Sequence, residues 1–500
     1  SWGAPAPGAP TPGARLLRAR RCLAEGGEGE GVVACALADV LVGTLQSSAE
    51  DTTAGFLSLL RSSQSLQREM AAVRREAYAA SSQYPFLACG VARLPAPGRA
   101  PLAPPGPTSA GARIGGQPAA EAAWPPPRYA EWLHGWDCPV LDCAGRADLG
   151  PEAVSCVAQG QPCVLRNLNA FPAAVSRWSF EYLAQQLKGS AFSMFTSNDG
   201  NYSYWYGKPN SASFAFAQPT RHETGSFHDF LDRRSALTPL DACRSLYLQD
   251  VLWRNHVGRG EPLRREIMGD DLQHDWDCGL AWALLANVRQ IGRLGPMTTS
   301  SLFCSGAGAY SRPHYDQNAN LYLQVRGAKR WLIFPPEDSA MLYPYPKGHP
   351  LDRKSRIDFS APDLSAFPAA AGLTRRGYLA VLRPGDVLWL PSHWWHAVES
   401  LEPETLALNF WWNPAEHARQ LGPAQCVVEL ARDIEAFLQA ALGPPGVQSF
   451  LEDWRAGRTP ADGAGRRCLC VLASCLAALR CTQKLSPAEF DDVCALLAPA

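Results

Sequence analysis

The stretch Pro313-His314-Tyr315-Asp316 opens the region that decides the fold of this chain. On an extended segment the side chains of His314 and Asp316 lie on the same face, because residues two apart point the same way. A lone histidine far downstream, His396, could complete the set. Two imidazoles and one carboxylate form the facial triad that holds non-haem Fe(II) and leaves coordination positions open. The sequence therefore predicts an iron-binding triad.

Each of these residues alone is weak evidence, because a single histidine in a strand is more often a satisfied polar group than a ligand. His393, three residues before His396, is the competing ligand. Side chains alternate along a strand, so the odd spacing predicts that His393 faces away from His396. The combination of His314, Asp316 and His396 is therefore the favoured set.

The region around the triad is rich in short runs with a period of two residues. Gly327 and the pair Pro384-Gly385 mark tight connections among them. Several short strands of this kind predict a mainly β fold, a jelly roll or double-stranded β-helix, with helical segments on either side. The seven runs are Ser301–Ser305, Leu321–Val325, Arg330–Phe334, Tyr378–Leu382, Asp386–Leu390, Trp394–Val398 and Thr405–Trp411.

Upstream of the triad the sequence predicts both strands and helices. Two runs flank the turn signal Asn198-Asp199-Gly200-Asn201 and predict a β-hairpin. Ser176 or Ser179 is the expected N-cap of a helix that begins near Trp178. The predicted strands are Gln161–Leu168, Leu246–Gln249 and the hairpin pair Phe192–Ser197 and Tyr202–Tyr206, and the predicted helices are Trp178–Leu187, Ser226–Leu231 and Asp277–Arg293.

Composition divides the chain into four parts. Residues 1–90 form a low-complexity and helical extension, 91–128 a linker rich in proline and glycine, 129–413 the catalytic domain and 414–500 a helical region. The C-terminal helices, predicted over Cys426–Leu442, Arg466–Leu479 and Pro487–Leu497, are amphipathic. We expect them to form a bundle or the contact of a homodimer.

Charge, apolar run length and cysteine spacing argue against several classes of protein. A formal net charge of −1 and a pI near 6.8 give no signature of nucleic-acid binding. No apolar run is long enough to span a bilayer. The 16 cysteines include no Cys-x-x-Cys pair, which favours free thiols in a reducing compartment, the cytoplasm or nucleus. The chain begins at Ser1 rather than Met, so a targeting peptide could already be missing.

Several motifs together carry a family resemblance. They are Pro313-His-Tyr-Asp, Gln324-Val-Arg-Gly-Ala-Lys-Arg-Trp, Phe334-Pro-Pro, His349-Pro-Leu-Asp-Arg, Trp394-Trp-His and Asn409-Phe-Trp. In order and spacing they resemble the JmjC-type 2-oxoglutarate oxygenases, most closely asparaginyl hydroxylases of the factor-inhibiting-HIF kind. The resemblance extends from about Tyr129 to Asn413. It implies a cupin-like barrel that uses Fe(II), 2-oxoglutarate and O₂ to hydroxylate a protein side chain, releasing succinate and CO₂.

The resemblance also implies roles for residues outside the triad. Lys329 would pair with the distal carboxylate of 2-oxoglutarate, although a surface lysine in a hairpin is the plain alternative on sequence alone. Ser311 and Tyr247 would assist Lys329. Asn320 and Asn409 would hydrogen-bond near the metal-bound end of the co-substrate, and Trp411 would line the barrel mouth.

The residues at the positions that would contact the substrate match the family less well. Tyr204, Gln249 and Arg353 match positions that contact the peptide or its target amide. The departures are Lys354 in place of a glutamine, Gln317 in place of an acidic residue and Tyr206 in place of an aspartate. Because a lysine cannot accept a hydrogen bond from an amide, we expect an altered target residue, for example aspartate or histidine.

Other functions stay open at this point. One is hydroxylation of a tRNA base, which the near-neutral charge disfavours. Another is a catalytically inactive barrel that serves as a binding module, which the intact triad and Lys329 disfavour. Lysine demethylation finds no supporting chromatin-reader segment in the sequence.

Overall fold

A computed structural model of the chain describes its central and part of its C-terminal regions. The chain divides into two compact units, one of which spans Ala120–Gln425, while the other includes the residues from Cys426 onward. The described ranges are 136–144, 148–189, 192–205, 217–237, 246–254, 267–373, 376–412 and 421–455, with short pieces between 458 and 493 and the single residues 18, 21, 75 and 83.

Two sheets form the unit that holds the triad. The first has the strand order β1-β12-β11-β14-β9-β5 and the second β2-β3-β13-β10-β15-β8-β7-β4-β6. Their strands are β1 Trp136–Asp137, β2 Val140–Asp142, β3 Cys163–Arg166, β4 Phe192–Thr196, β5 Asn201–Tyr202, β6 Arg221–Gly225, β7 Leu246–Arg254, β8 Met297–Ser305, β9 Tyr310–Tyr315, β10 Asn320–Arg326, β11 Lys329–Phe334, β12 Tyr378–Leu382, β13 Val387–Leu390, β14 Trp395–Ser400 and β15 Thr405–Trp412.

The four strands β12-β11-β14-β9 face the four strands β13-β10-β15-β8, and each set pairs in antiparallel fashion. This arrangement is the predicted jelly roll, a double-stranded β-helix of the cupin type. All seven period-two runs are confirmed as strands, and the triad segment forms β9. The register pairs His396 of β14 with His314 of β9, so the barrel itself brings the two histidines together.

Alternation along the strands separates two apolar clusters. Tyr322 of β10 belongs to the cluster inside the barrel. Its neighbours Leu321 and Leu323 belong to a second cluster that also contains the helical residues Leu285 and Phe230. Because successive side chains of a strand point to opposite faces, helices on the outer face bury both sides of this sheet. This burial explains why the strands read as almost continuous apolar runs.

The described helices of this unit are short, and two of them begin at a serine whose side chain caps the helix. The Ser226 hydroxyl oxygen accepts a hydrogen bond from the Asp229 amide, and the Asp229 carboxylate accepts one from the Ser226 amide, which forms a capping box. Ser179 caps the helix predicted near Trp178, which begins at Phe180. The helices are α1 Pro151–Gln159, α2 Pro172–Arg177, α3 Phe180–Gln186, α4 Phe227–Ala236, α5 Asp270–His274 and α6 Trp282–Ile291, with a π-helical turn at Asp275–Gly279 and 3₁₀ turns at Pro336–Leu342 and Pro368–Leu373.

The predicted hairpin of residues 192–206 is wrong. β4 pairs with β6 and β7, whereas β5 pairs in parallel with β9 in the other sheet. The Asp199 carboxylate accepts hydrogen bonds from the Ser197 hydroxyl and the Asn201 amide, which holds the connecting turn. A turn signal alone does not reveal that the chain crosses from one sheet to the other here. Tyr206 lies outside the described residues.

After the barrel the structure describes one long helical segment, α7 Pro423–Arg455, most of which belongs to the unit that includes Cys426 and the residues after it. Gly443 interrupts it with a left-handed φ of 66°, so the segment consists of two helices joined at a kink. The N-terminal helical module, the linker, the boundaries at 90, 128 and 413 and most of the predicted helices after 465 lie outside the described residues and stay predictions.

Two further observations concern the described part of the chain. No helix in it combines the length and the apolar character that crossing a membrane requires. None of its eight cysteines forms a disulfide.

Candidate metal centre

His314, Asp316 and His396 converge inside the barrel. One ligand atom from each of the three lies within 4.8 Å of the others. The two imidazole ring centroids are 4.2 Å apart, and His396 Nε2 lies 3.9 Å from Asp316 Oδ2. Strand pairing fixes the two histidines, and the two-residue spacing brings the carboxylate to their face. The three side chains thus present two nitrogens and one oxygen to a single point.

Backbone carbonyls set the tautomer of both histidines. His314 Nδ1 lies 2.8 Å from the Arg312 carbonyl oxygen, and His396 Nδ1 lies 3.0 Å from that of Trp394. A carbonyl oxygen only accepts, so each Nδ1 carries the proton and each Nε2 keeps its lone pair. Orienting hydrogen bonds of this kind are usual for metal-binding histidines.

Burial keeps both imidazoles neutral. Desolvation lowers the pKa of His314 well below its ordinary value, and the neighbouring His396 and Lys354 lower it further. Desolvation also lowers the pKa of His396, while the Asp316 carboxylate opposes this change. Because a neutral imidazole is the form that binds a metal, both histidines are prepared for coordination at neutral pH.

His393 is not part of the cluster. It lies in the turn that precedes β14, with a left-handed φ of 64°, and its ring stacks on Tyr315 at 5.5 Å. Tyr315 alternates with His314 along β9 and so points away from the triad. The expectation that His393 faces away from the triad is confirmed, but the cause is the turn rather than alternation along a strand.

A cavity of about 620 Å³ opens onto the triad. Its walls bring together eleven of the twelve residues that the sequence singled out, all except Lys329. They are His314, Asp316 and His396, the co-substrate candidates Ser311, Tyr247, Asn320, Asn409 and Trp411, and the substrate candidates Tyr204, Gln249 and Arg353. Residues that lie far apart in the sequence therefore share one cavity, while their roles stay predictions.

Lys329 lies one layer beneath the cavity wall. Its side chain is buried, and its ammonium is 5.4–5.8 Å from the ring centroids of Tyr247, Phe303 and Tyr322, which line the cavity. It donates a hydrogen bond of 3.4 Å to the Tyr247 hydroxyl. Desolvation lowers the pKa of Lys329 from 10.5 to about 7. The alternative of a surface lysine in a hairpin is wrong.

Five residues that line the cavity each have one buried polar atom with no hydrogen-bond partner among the described residues. These atoms are Asn320 Oδ1, Tyr322 Oη, Trp331 Nε1, Asn409 Nδ2 and Trp411 Nε1. The Asn409 amide oxygen does have a partner, because Oδ1 accepts a hydrogen bond of 2.8 Å from the Ser301 backbone amide. Buried polar groups are normally paired, so these five atoms indicate a polar ligand.

Sequence reasoning missed two residues of the site. Tyr322 follows the predicted Asn320 by two positions, and Trp331 follows Lys329 by two positions and stacks on His396 at 5.5 Å. Strand alternation from the two predicted residues could have found both.

Lys354 also belongs to the site, although the sequence marked it only as a departure from a family pattern. It lines the cavity and pairs with His314 in a β-bridge. Burial lowers the pKa of Lys354 from 10.5 to about 8, helped by Arg353 and opposed by Asp316 and Asp352. The triad therefore has a cationic neighbour.

The family of the domain follows from comparison with known proteins. Residues 152–418, more than half of the chain, match the family described as a cupin-like domain. The chain belongs to that family. The matched range contains strands β3 to β15 and all three triad residues.

Several individual relatives are named for a JmjC domain or as lysine demethylases. HSPB1-associated protein 1 from Homo sapiens is 41% identical over 157 residues, 30% of this chain and 30% of that protein. Jumonji C domain-containing protein 5 from Drosophila melanogaster is 39% identical over 106 residues, 21% of this chain and 25% of that protein. Lysine-specific demethylase JMJ31 from Arabidopsis thaliana is 34% identical over 116 residues, 23% of this chain and 21% of that protein. The alignments cover less than a third of each of these relatives.

Proposed function

We propose that this chain is an Fe(II)- and 2-oxoglutarate-dependent oxygenase that hydroxylates a protein side chain. The observation that carries the proposal is the convergence of His314, Asp316 and His396 at the wall of a polar cavity. Two neutral imidazoles and one carboxylate suit Fe(II) and leave coordination positions for a bidentate co-substrate and O₂. The JmjC relationship of the domain agrees with this chemistry.

The residues present fit 2-oxoglutarate. A buried ammonium without a carboxylate partner in the described part of the chain needs an anion, and Lys329 supplies such an ammonium. The hydroxyls of Tyr247 and Tyr322 lie at the same part of the wall and could donate to a distal carboxylate. Near the triad, Asn320 Oδ1 and Asn409 Nδ2 are buried without a hydrogen-bond partner among the described residues, so a bound ligand could pair with them.

When bound, the iron would let O₂ oxidise 2-oxoglutarate and the target together, so that one oxygen atom enters succinate as CO₂ leaves and the other enters a C–H bond. The chain itself orients the reactants. Trp331 stacks on His396 and fixes its ring, while the Arg312 and Trp394 carbonyls hold the imidazole protons away from the metal.

A protein substrate is favoured by the shape and lining of the cavity. It is open to solvent beside Tyr204, whose side chain is among the exposed large hydrophobic groups, and Gln249 and Arg353 lie on the same wall. The motif resemblance to asparaginyl hydroxylases supports hydroxylation as the outcome. A homodimer formed through the C-terminal helices remains part of this proposal.

The test is 2-oxoglutarate turnover by the full chain. Purified protein with Fe(II), 2-oxoglutarate, O₂ and a proteome-derived peptide library should form succinate and peptides that are 16 Da heavier. Asp316→Ala should abolish both products, whereas Asp232→Ala, which removes an exposed carboxylate from α4, should leave them unchanged. A protein that retains iron yet forms no succinate with any library would instead support an inactive binding module.

A second candidate is demethylation of a methylated lysine, which the name of the Arabidopsis thaliana relative favours. The same hydroxylation placed on an N-methyl group releases formaldehyde and leaves a peptide 14 Da lighter. The buried cation of Lys354 beside the triad opposes a cationic target, because like charges in a poorly solvated site repel strongly. If methyl-lysine peptides release formaldehyde and no products 16 Da heavier are formed, the result would support demethylation instead of side-chain hydroxylation.

A further inference from the structure

Lys354 is a buried cation that neither the triad nor the co-substrate site requires. Its residue is 9% exposed and lines the cavity. It stands opposite His314, and two backbone hydrogen bonds of 3.1 and 2.8 Å join residues 313–315 to 353–355 on either side of the pair. In an antiparallel ladder this is the non-hydrogen-bonded pair, in which the two side chains share a face and approach most closely. Its register therefore directs Lys354 into the cavity beside the triad.

The charge of Lys354 is not balanced within the described part of the chain. There its ammonium makes no hydrogen bond and has no carboxylate within ion-pair distance. Asp316 and Asp352 act on it only from longer range, and Asp316 is committed to the triad. Burying an unpaired ammonium is unfavourable, so the site is complete only when an anion enters.

The proposed co-substrate has a different cation for its free carboxylate. Lys329 pairs with Ser400, four residues along β14 from His396, which corresponds to roughly 13 Å of strand. Lys354 instead lies directly beside the triad, next to Arg353 at the cavity wall. The two lysines thus serve different parts of the cavity, and the positive charge of Lys354 remains for the group that is brought to the metal for reaction.

We propose that Lys354 selects an acidic target, so that the side chain hydroxylated is an aspartate or glutamate of a protein or peptide. This inference rests on the proposed function. A carboxylate would form a charge-assisted hydrogen bond with the ammonium, whereas an amide offers only its neutral oxygen. A lysine or arginine target would be repelled.

The experiment separates binding from turnover. Five peptide pools share the same degenerate flanks and differ only in a fixed central residue, which is Asp, Glu, Asn, Gln or Lys. For binding, each pool is mixed without O₂ with the full chain loaded with Mn(II) and 2-oxoglutarate. The retained peptides are quantified by mass spectrometry. The same pools are then offered with Fe(II) and O₂, and products 16 Da heavier are counted. The variants are Lys354→Gln and Lys354→Met, with exposed Lys188→Gln as the control that removes a positive charge elsewhere.

The unchanged chain should retain an acidic pool over its amide counterpart by roughly 10- to 100-fold, the factor expected of one charge-assisted hydrogen bond in a buried site. Lys354→Gln and Lys354→Met should bring that ratio close to one, while Lys188→Gln keeps it. The affinity for 2-oxoglutarate should stay within about twofold in all variants.

Other outcomes overturn the inference in distinguishable ways. Equal retention of acidic and amide pools by the unchanged chain, or of no pool, contradicts it. Weaker 2-oxoglutarate binding by Lys354→Gln with an unchanged pool ratio assigns Lys354 to the co-substrate and also contradicts it. Hydroxylation without a preference for acidic pools supports the proposed oxygenase function and contradicts the role of Lys354 in selecting an acidic target. Acidic preference in retention without any hydroxylation supports Lys354 as the residue that selects an acidic side chain, and contradicts the proposed hydroxylation.

Discussion

Replacing Lys329 by methionine should stabilise the ligand-free protein and at the same time weaken its binding of 2-oxoglutarate. Methionine fills a similar volume without a charge. The native ammonium is buried beneath three aromatic rings and has only the Tyr247 hydroxyl as a hydrogen-bond partner within the described residues. Without a ligand, the lysine therefore makes the native state less stable than an apolar side chain would.

The size of this stability difference follows from the pKa of Lys329. Its decrease from 10.5 to about 7 on burial corresponds to about 5 kcal/mol between the two protonation states. Below pH 7 the folded and unfolded chains both carry the proton, so the full destabilisation is present. Between about pH 7 and 10.5 the unfolded chain binds more protons, so the free energy of unfolding rises with pH. At pH 9.5 only about 1.4 kcal/mol of the destabilisation should remain.

The assay compares denaturant unfolding of the unchanged chain and Lys329→Met at pH 6.5 and 9.5, because the difference between the two proteins cancels the titration of other groups. Lys329→Met should be the more stable by several kcal/mol at pH 6.5, with most of the advantage lost at pH 9.5. Its affinity for 2-oxoglutarate in the presence of Mn(II) should fall by roughly 30- to 5,000-fold, equivalent to about 2–5 kcal/mol for a broken buried charge pair.

Two results would refute this reasoning. If Lys329→Met is less stable than the unchanged chain at pH 6.5, the ammonium already has a partner in the ligand-free protein. If the variant binds 2-oxoglutarate as tightly as the unchanged chain, Lys329 does not receive the distal carboxylate.

The remaining predictions concern the triad, a hydroxyl and one structural carboxylate. His396→Ala should lower Mn(II) affinity by at least about 100-fold in a titration, whereas exposed His228→Ala should not change it. Metal affinity should persist below pH 6.5 and fall only at lower pH, since burial lowers the pKa of His314 and His396; loss of binding already at pH 7 would contradict this. Tyr247→Phe should raise the KM for 2-oxoglutarate up to about tenfold through one lost hydrogen bond, and an unchanged KM would exclude that contact. Asp275→Ala should cost about 3–5 kcal/mol in unfolding free energy, because this buried carboxylate bonds three side chains, but Mn(II) affinity should be unchanged.

The barrel and the triad could be predicted because their signals are local. The two-residue spacing of His314 and Asp316 fixes a common face on any strand, and alternation in the strand runs separates inner from outer side chains. His396 needed a further assumption, that the barrel pairs its strand with that of His314. The structure shows this pairing, because the register of β9 and β14 places His314 opposite His396.

Features that depend on pairing between distant segments could not be predicted. The turn at Asp199 reads as a hairpin, but the chain crosses to the other sheet there. The sequence pattern predicts a strand at His393, but its left-handed backbone places it in a turn. Nothing in the sequence around Lys354 indicates that it pairs with His314, because that bridge joins two segments about forty residues apart.

In the proposed oxygenase, His314, Asp316 and His396 would hold one divalent ion, and 2-oxoglutarate would lie between that ion and Lys329. A crystal of the chain grown with Mn(II) and 2-oxoglutarate, measured at a wavelength where manganese scatters anomalously, tests this claim directly. We predict an anomalous peak within coordination distance of both Nε2 atoms and one Asp316 oxygen, and the free carboxylate of 2-oxoglutarate beside the Lys329 ammonium. A strong manganese peak elsewhere on the chain, with the triad vacant, would contradict the account.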